Sequence, residues 1–113
     1  MKFLSNKIRF WVREYRHPQI GVIIAACDED LLGKTLKKGT LDIYVAPNFY
    51  GGKLVDSDEL VVILKKADSL NLIGEHVVKI AEDIGLIHSE AKIFFRGENG
   101  KRIPHAQMIR FKI

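Results

Sequence analysis

The stretch that most constrains the fold is residues 20–33, which read IGVIIAACDEDLLG. Residues 20–27 are apolar on both alternating sides, which is typical of a strand buried in the middle of a sheet. The strand is followed directly by acids, so Cys27, Asp28 and Glu29 lie where it gives way to the next element. Ligands of α/β sheets commonly bind at such strand ends. The sequence therefore predicts a central strand with a candidate site at its carboxyl end.

Apolar patterns on either side of this strand predict one α+β domain over residues 1–113, with a mostly antiparallel sheet and three helices. The predicted order is ββαβααββ. Strands are expected at 7–16, 20–27, 40–46, 91–96 and 101–113, and helices at about 29–38, 57–67 and 69–84. The 57–67 helix has the clearest beginning, because Asp56 and Glu59 form a capping box.

Glycine and proline add local expectations. Gly74 lies inside the predicted 69–84 helix, so we expect another group to pack closely against it. Residues 47–52 are expected to form a loop. Asn99-Gly100 predicts a hairpin turn, and Pro104 in the following strand is expected at an edge or a bulge. The alternation of the last strand places three residues toward the core: Ile109, Phe111 and Ile113.

Composition limits the class of protein. Apolar residues make up 47% and charged residues 28% of the chain, which is an ordinary globular balance. No apolar run reaches the roughly 18 residues that a membrane span needs, so we expect no membrane association. Cys27 is the single cysteine, which rules out an internal disulfide and favours a cytoplasmic location. We expect no bound cofactor.

Charge is distributed unevenly along the chain. Residues 1–19 carry five basic side chains and one acid, residues 20–90 carry seven and twelve, and residues 91–113 carry six and one. The two ends are therefore basic and the middle is acidic. If the ends meet in one sheet, their cations will combine into one positive field.

Four short motifs occur in series: CDEDLLGKTL (27–36), FYGGKLV (49–55), NLIGEHVV (71–78) and PHAQMIR (104–110). In this order and spacing they resemble the archaeal family called domain of unknown function 424. The resemblance implies a small archaeal cytosolic protein and carries no established activity. The family-type positions are Cys27, Asp28, Gly33, Phe49, Tyr50, Gly51, Gly52, Asn71, Gly74, Glu75, Pro104, His105 and Gln107.

Two single residues invite a chemical interpretation. Cys27 precedes a predicted helix and could be a nucleophile, but the acids that follow it oppose a thiolate, and a small buried side chain is the alternative. His105 could be a general base or a ligand, and the alternative is a local hydrogen bond. An enzyme or small-ligand site would join Cys27, Asp28, Asn71, Glu75 and His105, with Asn71 and Glu75 on one helix face pointing to Cys27-Asp28 or Pro104-His105.

Anion and metal sites have weaker signals. Residues 49–52 could cradle a phosphate with backbone N–H groups, and a tight turn is the alternative. A magnesium site from Asp28, Asp30 and Glu75 is conceivable, although clustered acids usually cap helices or face solvent. We expect no metal site.

The first strand carries a basic–aromatic stripe: Arg9, Trp11, Arg13 and Tyr15 alternate on one of its sides. Proteins that bind single-stranded RNA use this pairing, because aromatic rings stack on bases and arginines contact phosphates. Together with cations near the chain end, the stripe predicts an RNA-binding face, with ribosomes as a possible target. The predicted nucleic-acid-binding residues are Arg9, Trp11, Arg13, Tyr15, Arg96, Lys101, Arg102 and Arg110.

The leading hypothesis is a non-enzymatic RNA-binding or translation-associated protein. The enzyme or small-ligand binder is the first alternative. A homo-oligomer that buries the Trp11 side of the first strand is the second, because arginines and an aromatic ring on an edge strand also suit an interface between copies.

Overall fold

A computed structural model describes residues 7–110. In this part of the chain, eight strands form one sheet in the order β4-β3-β7-β8-β6-β2-β1-β5. The strands are β1 (Arg9–His17), β2 (Gly21–Asp28), β3 (Thr35–Lys38), β4 (Leu41–Tyr44), β5 (Lys53–Asp56), β6 (Ser69–Ile73), β7 (Lys92–Arg96) and β8 (Arg102–Ile109). The helices are α1 (Pro47–Tyr50), α2 (Ser57–Lys65) and α3 (Glu75–Asp83), with 3-10 turns at Glu29–Leu31 and Glu98–Gly100.

The class predicted from the sequence is confirmed: an α+β protein with a mostly antiparallel sheet. Every neighbouring pair of strands is antiparallel except β2 and β6, which are parallel. As predicted, β2 is paired on both sides, with β1 and with β6. Residues 24–28 of β2 are all buried, because both faces of this strand are covered.

Two apolar clusters lie on the two faces of the sheet. On the face that we call the helix face, α2 and α3 bury side chains of the central strands, among them Ile24 and Leu72. On the opposite face, the segment between β2 and β5 covers Cys27, Ile73 and Phe95. Each fully buried large apolar side chain stabilises the fold by roughly 1.5–3 kcal/mol. The opposite face has no long helix over it, so part of that face stays accessible.

Helix α2 begins as its sequence predicts. The Asp56 carboxylate accepts a hydrogen bond from the Glu59 backbone N–H at 2.9 Å, which satisfies one of the N–H groups left free at a helix start. Val55 and Leu60, the apolar residues on either side of this cap, are both buried in the cluster of the helix face. Asp56 therefore caps the helix start as expected, whereas the Glu59 carboxylate pairs with Lys53 at 2.6 Å instead of closing the capping box.

The predicted helix at 29–38 is wrong. After the 3-10 turn at Glu29–Leu31 the chain forms β3, which pairs with β4 in register Lys38↔Leu41. The hairpin turn is Gly39-Thr40, and Gly39 adopts φ +61°, a conformation that glycine reaches without a steric cost. Leu36 is 1% exposed, because as a residue of β3 it packs into the apolar cluster of the opposite face.

The predicted helix at 69–84 is wrong in its first third. Residues 69–73 form β6, which lies between β2 and β8, and the helix α3 begins only at Glu75. Pairing with a strand on each side satisfies the backbone hydrogen bonds of residues 69–73. The alternation of side chains along this strand places Leu70 and Leu72 on the helix face. Tertiary pairing thus overrides the helical reading of a short apolar segment.

Three smaller expectations have different outcomes. The loop predicted at 47–52 contains the single helical turn α1, with Pro47 at its first position. Pro104 lies inside the sheet and not at an edge. Its carbonyl accepts the Gly74 N–H at 3.0 Å, just beyond the end of β6. The nitrogen of Pro104, which has no hydrogen to donate, faces the same place, where β6 offers no further strand residue to pair with. Ile109 is 56% exposed and does not face the core. Phe111 and Ile113 lie outside the described residues.

No helix in residues 7–110 has both the length and the apolar character required to span a membrane.

Candidate functional site

Cys27 is a buried residue of the central strand. Its side chain is fully buried, in a cluster with Tyr50 and Ile73. Burial, together with the nearby carboxylates of Asp28 and Asp30, raises the pKa of the Cys27 thiol to about 12. The residue is therefore a protonated thiol at neutral pH, which agrees with the small buried side chain considered from the sequence and gives no nucleophile.

Asp28 caps helix α3 from the neighbouring strand. Its two carboxylate oxygens accept hydrogen bonds from the backbone N–H groups of His76 at 3.0 Å and Val77 at 2.8 Å. Burial raises the pKa of Asp28, although these two N–H groups act in the opposite direction. The helix N-terminus, a common anion site, is thus already occupied by a carboxylate of the protein itself.

Gly74 explains how the carboxylate reaches the helix. A Cβ atom at this position would lie 2.4 Å from the Asp28 carboxyl carbon, and the residue adopts φ +133°. The close packing expected at Gly74 is therefore confirmed, and the group that packs there is Asp28. Only glycine fits both the space and the backbone angle.

A second polar group lies on the opposite face of the sheet. Asn71 Oδ1 accepts a hydrogen bond from the Tyr50 hydroxyl at 2.7 Å and lies 3.1 Å from His105 Nε2. Burial lowers the pKa of His105, so the neutral ring is favoured, with Nε2–H donating to Asn71. Asn71 therefore reaches the Pro104-His105 segment as predicted, but from a strand rather than from a helix. Gln107 is exposed on β8, in register with Asn71.

The five residues of the predicted enzyme site do not converge. Cys27, Ile73 and His105 lie in one row across three strands, so roughly 10 Å and the Ile73 side chain separate the thiol from the imidazole. Asp28 contacts α3 on the helix face. Glu75 forms an ion pair with Lys101 at 3.0 Å instead of pointing toward Asn71. The structure divides this predicted site between two faces of the sheet.

A cleft of about 340 Å³ lies at the carboxyl end of β2, where the sequence predicts a ligand site. Six of its charged side chains form three ion pairs: Arg9 with Glu29, Lys34 with Glu98 and Lys101 with Glu75. Among residues 7–110, no cluster of three or more histidine, cysteine or acidic side chains has the arrangement of a metal site. Nothing in the cleft selects a ligand class.

Residues 49–52 form a tight turn against β1. The N–H groups of Gly51 and Gly52 donate to the carbonyls of Pro47 and Tyr50, at 2.7 and 3.0 Å, and are therefore not free to cradle a phosphate. A Cβ atom on Gly52 would lie 2.5 Å from the Val12 carbonyl oxygen. Close approach to β1, not ligand binding, accounts for this glycine.

The basic–aromatic stripe on β1 is engaged inside the fold. Arg9 forms a two-point ion pair with Glu29 at 2.8 and 3.1 Å, and Arg13 donates to the Gly51 carbonyl at 3.1 Å. The Tyr15 ring stacks on Phe49 with centroids 5.5 Å apart, and its hydroxyl donates to the Phe49 carbonyl at 2.7 Å. Trp11 is half-buried against the apolar cluster of the opposite face. The RNA-binding and oligomer roles of this stripe stay predictions, while its contacts stabilise the turn at 49–52.

A different group of cations surrounds Phe94 near the other end of the strand order. We call it the basic groove, a cavity of about 220 Å³ between β3, β7 and β8. It is lined by Lys37, Lys38, Gly39, Phe94, Phe95, Arg96 and Arg102. None of these lining residues, all within the described range, is acidic. The groove therefore presents positive charge beside two aromatic rings.

The cations of the basic groove are arranged in a row. Lys37 on β3 is in register with Arg96 on β7, which is in register with Arg102 on β8. Alternation along β8 puts Arg102 on the helix face with Ala106, where its side chain is exposed. Lys37 is paired with Asp42 at 3.0 Å. Lys38, Arg96 and Arg102 form no ion pair with any other described residue.

Phe94 lies at the centre of this arrangement. The Arg102 guanidinium carbon lies 4.0 Å from the centroid of the Phe94 ring, and Lys92 Nζ lies 6.0 Å from it. Arg96 Nη1 donates to the Gly100 carbonyl at 3.1 Å, which holds the side chain without neutralising it. A planar cation on an aromatic ring is a stable surface for stacking.

The predicted nucleic-acid-binding residues are dispersed. Arg96 and Arg102 lie in the basic groove, Lys101 lies in the cleft, and Arg110 follows the other end of β8. The stripe on β1 and the strand β8 share the sheet, but β2 and β6 separate them by roughly 14 Å. The two basic ends share one sheet as expected, and Arg9 and Lys101 line the same cleft, while Arg96 and Arg102 lie in the basic groove. The merging of these cations into one RNA-binding field stays a prediction.

The sequence interpretation missed three groove residues: Lys37, Lys38 and Phe94. The two lysines had been assigned to the end of a helix. A signal for Phe94 was present, because Lys92, Phe94 and Arg96 alternate on one side of KIFFR and Arg102 follows just after the hairpin. Without the strand order, this alternation did not reveal that Lys37 would join the row.

The fold and the groove define an α+β protein with helices on one face of an eight-stranded sheet and an accessible basic groove beside them. The chain belongs to the family described as Protein of unknown function (DUF424), whose model matches residues 15–111. The resemblance drawn from the four motifs is thus confirmed.

One solved structure supports the same fold. The chain is 26% identical to an uncharacterised conserved protein from Methanopyrus kandleri, with a TM-score of 0.68. The similarity covers 93% of this chain and 96% of that protein. No curated protein matches the sequence.

Proposed function

We propose that this protein binds RNA through the basic groove and is not an enzyme. The observation that carries the proposal is the row of Lys37, Arg96 and Arg102 across three neighbouring strands, beside Phe94 and without an acidic residue in the groove wall. A cytoplasmic location would follow from this role, and the ribosome is one RNA-rich target.

The row has an energetic cost that an anion would offset. Like charges directly opposite each other on neighbouring strands destabilise a sheet by a fraction of a kcal/mol up to about 1 kcal/mol. Arg96 and Arg102 form such a pair, and neither has a carboxylate partner in the described part of the chain. Phosphate groups placed along the row would remove this repulsion and release counterions, which is the main source of affinity for nucleic acids.

The groove supports RNA better than the cleft does. In the cleft, three cations are paired with carboxylates and further acids line the wall, which disfavours a phosphate chain. In the groove, the unpaired guanidinium groups offer planar, two-point contacts to phosphate oxygens. An aromatic ring beside phosphate-binding cations is the combination found in proteins that hold nucleic acids.

The test is a fluorescence anisotropy titration of a short fluorescein-labelled RNA, repeated at several salt concentrations between about 50 and 200 mM. The double variant Arg96→Ala/Arg102→Ala should bind roughly 100-fold more weakly, since each charged contact contributes about 1.5 kcal/mol. The slope of log K against log salt should flatten by about 0.7 for each phosphate contact removed. Purified ribosomal subunits serve as a second probe.

The matched control is Lys65→Ala/Lys66→Ala, which removes two exposed cations at the end of α2. These two lysines are distant in the sequence from Arg96 and Arg102 and do not line the groove. This variant has the same net charge as the groove variant, so it separates a local site from a general charge effect. Binding that is absent at low salt, or equally weakened in both variants, would reject the proposal.

A further inference from the structure

The Phe94–Arg102 pair has the geometry of a stacking platform. Phe94 on β7 is in register with Pro104, and Arg102 is two residues from Pro104 on the same face of β8. The guanidinium carbon therefore lies over the ring, 4.0 Å from its centroid. Lys92, the other cation near the ring, is engaged by Glu82 at 3.0 Å. Of the two cations near the Phe94 ring, Arg102 is the one that has no ion pair with a described carboxylate.

This pair stands between two concave surfaces. On one side is the basic groove, and on the other is a second cavity of about 320 Å³ between β7 and α3, to which Phe94 and Arg102 also contribute. The second cavity has lysines and glutamates in its wall, among them Lys79 and Glu82. Because both cavities border the same two side chains, the pair forms a ridge that a ligand can approach from either side.

We infer that the basic groove takes single-stranded RNA, with one unpaired base stacked on the Arg102 guanidinium that Phe94 holds in place, and with the adjacent phosphates on Arg96 and Lys38. This inference rests on the proposed function and names the form of RNA that the groove accepts. Phe94 acts as a positioning residue, because it holds the plane on which the base stacks.

Three physical arguments lead to a single strand. Guanidinium planes stack on bases, but only an unpaired base offers a free face, since each base in a duplex is covered by its neighbours. A cavity of about 220 Å³ is smaller than an ordinary ligand pocket and matches the size of one base or one sugar-phosphate unit. Arg96 and Lys38 supply the phosphate contacts on which strand binding without sequence preference depends.

The decisive variant is Arg102→Lys, which keeps the charge and removes the plane. The same RNA is titrated as a single strand and as its perfect duplex, by anisotropy at one low salt concentration. The unmodified protein should prefer the single strand, and Arg102→Lys should lose roughly 10-fold for the single strand with little change for the duplex. Arg96→Lys is the control, because it changes a guanidinium assigned to phosphate and should keep the preference.

The positioning role of Phe94 is tested with Phe94→Leu and Phe94→Tyr. Leucine keeps an apolar side chain without a ring and should lower single-strand affinity by roughly threefold to 10-fold, while tyrosine keeps the ring and should retain it. Thermal unfolding by circular dichroism confirms that each variant is folded. Equal affinity of Phe94→Leu and the unmodified protein for the single strand would overturn the role.

The outcomes distinguish this inference from the proposed function. Equal binding of single strand and duplex, both lost in Arg96→Ala/Arg102→Ala, would reject the stacking platform and keep RNA binding. If tripolyphosphate displaces the single strand from the unmodified protein and from Arg102→Lys with the same efficiency, the groove is a phosphate site only and the inference fails. Absence of binding to both forms of RNA would reject both.

Discussion

Two regions of this protein combine arginines with aromatic rings, and they differ in what their cations contact. On β1, Arg9 is bonded to Glu29, Arg13 to a backbone carbonyl, and Tyr15 is stacked on Phe49. In the basic groove, Arg96 and Arg102 have no carboxylate partner among the described residues. In the first region the arginines contact groups that are distant in the chain, whereas in the second Arg96 bonds the nearby Gly100 carbonyl and Arg102 lies over the Phe94 ring.

The difference shows that residue type and spacing do not by themselves define a binding face. The β1 stripe has the stronger pattern in the sequence, because four residues alternate on one strand. Arg9 is nevertheless neutralised by Glu29, and Arg13 is held by the Gly51 carbonyl, and both partners are distant in the chain. Whether a cation is free is decided by neighbours that only the folded chain supplies.

The largest effect is expected where the β1 region is packed most tightly. Gly52→Ala should lower the free energy of unfolding by about 3 kcal/mol, because the new Cβ would lie 2.5 Å from the Val12 carbonyl oxygen and 3.2 Å from Arg13 Cα. Gly39→Ala, beside the basic groove, meets no atom within 4 Å and should cost only about 1 kcal/mol for its φ of +61°. Denaturant unfolding measures both. Similar losses in the two variants would remove the contrast in packing.

Trp11→Ala should act on stability and leave RNA binding unchanged. The half-buried ring packs against the cluster of the opposite face, so its removal should lower the free energy of unfolding by about 2 kcal/mol, less than for a fully buried tryptophan. RNA affinity, measured by anisotropy at a temperature where the variant is folded, should change less than about twofold. A selective loss of RNA affinity with unchanged stability would show that the β1 stripe is part of the RNA-binding face.

Arg9→Ala/Arg13→Ala sharpens the same comparison on the charged residues. Removing the exposed Arg9–Glu29 pair costs little, and removing the Arg13 bond to Gly51 loosens the turn, for a combined loss of about 1–2 kcal/mol. The salt dependence of RNA binding should keep its slope, in contrast to the groove double variant. The same flattening of the slope in both double variants would show that both regions contact phosphate.

The smallest effect concerns His105, which lies on β8 with Arg102 but is hydrogen-bonded on the opposite face. Because burial lowers its pKa, the folded protein binds fewer protons than the unfolded chain below the ordinary value near 6.5. This residue therefore contributes stability above pH 6.5 that is lost as the pH falls toward its lowered pKa. Urea unfolding over this range should show stability rising with pH, with a shallower slope for His105→Gln. An identical slope in the variant would mean that His105 is not the group responsible.

Much of the fold followed from local patterns. The alternation of β1, the apolar run of β2 and the helix cap at Asp56 each depend on neighbours a few residues away, and each of these predictions agrees with the structure. The segments 29–38 and 69–73 were misassigned because a short apolar run has no intrinsic preference strong enough to resist pairing. Their state is decided by β4 and β7 for the first, and by β2 and β8 for the second.

The candidate site was less predictable than the fold. Asn71 was expected to reach either Cys27-Asp28 or Pro104-His105, and it contacts His105. The contact arises because both residues lie on neighbouring strands, β6 and β8, and not because Asn71 lies on a helix. Phe94, Lys37 and Lys38 were not expected to meet, because 50 or more residues separate the two lysines from the ring in the sequence. Contacts of that separation depend on strand order, which leaves no trace in local composition.

By itself, the sequence indicated the family through its four motifs, and it determined the α+β class and the central position of β2. The class and the position of β2 follow from hydrophobic period, which acts over a few residues. Only the tertiary structure decided which cations are free. The order β3-β7-β8 places Lys37, Arg96 and Arg102 side by side, while the return of residues 29–52 over the opposite face brings Glu29 to Arg9 and Gly51 to Arg13. The reason is physical: electrostatic neutralisation depends on distance in space, and distance along the chain does not report it.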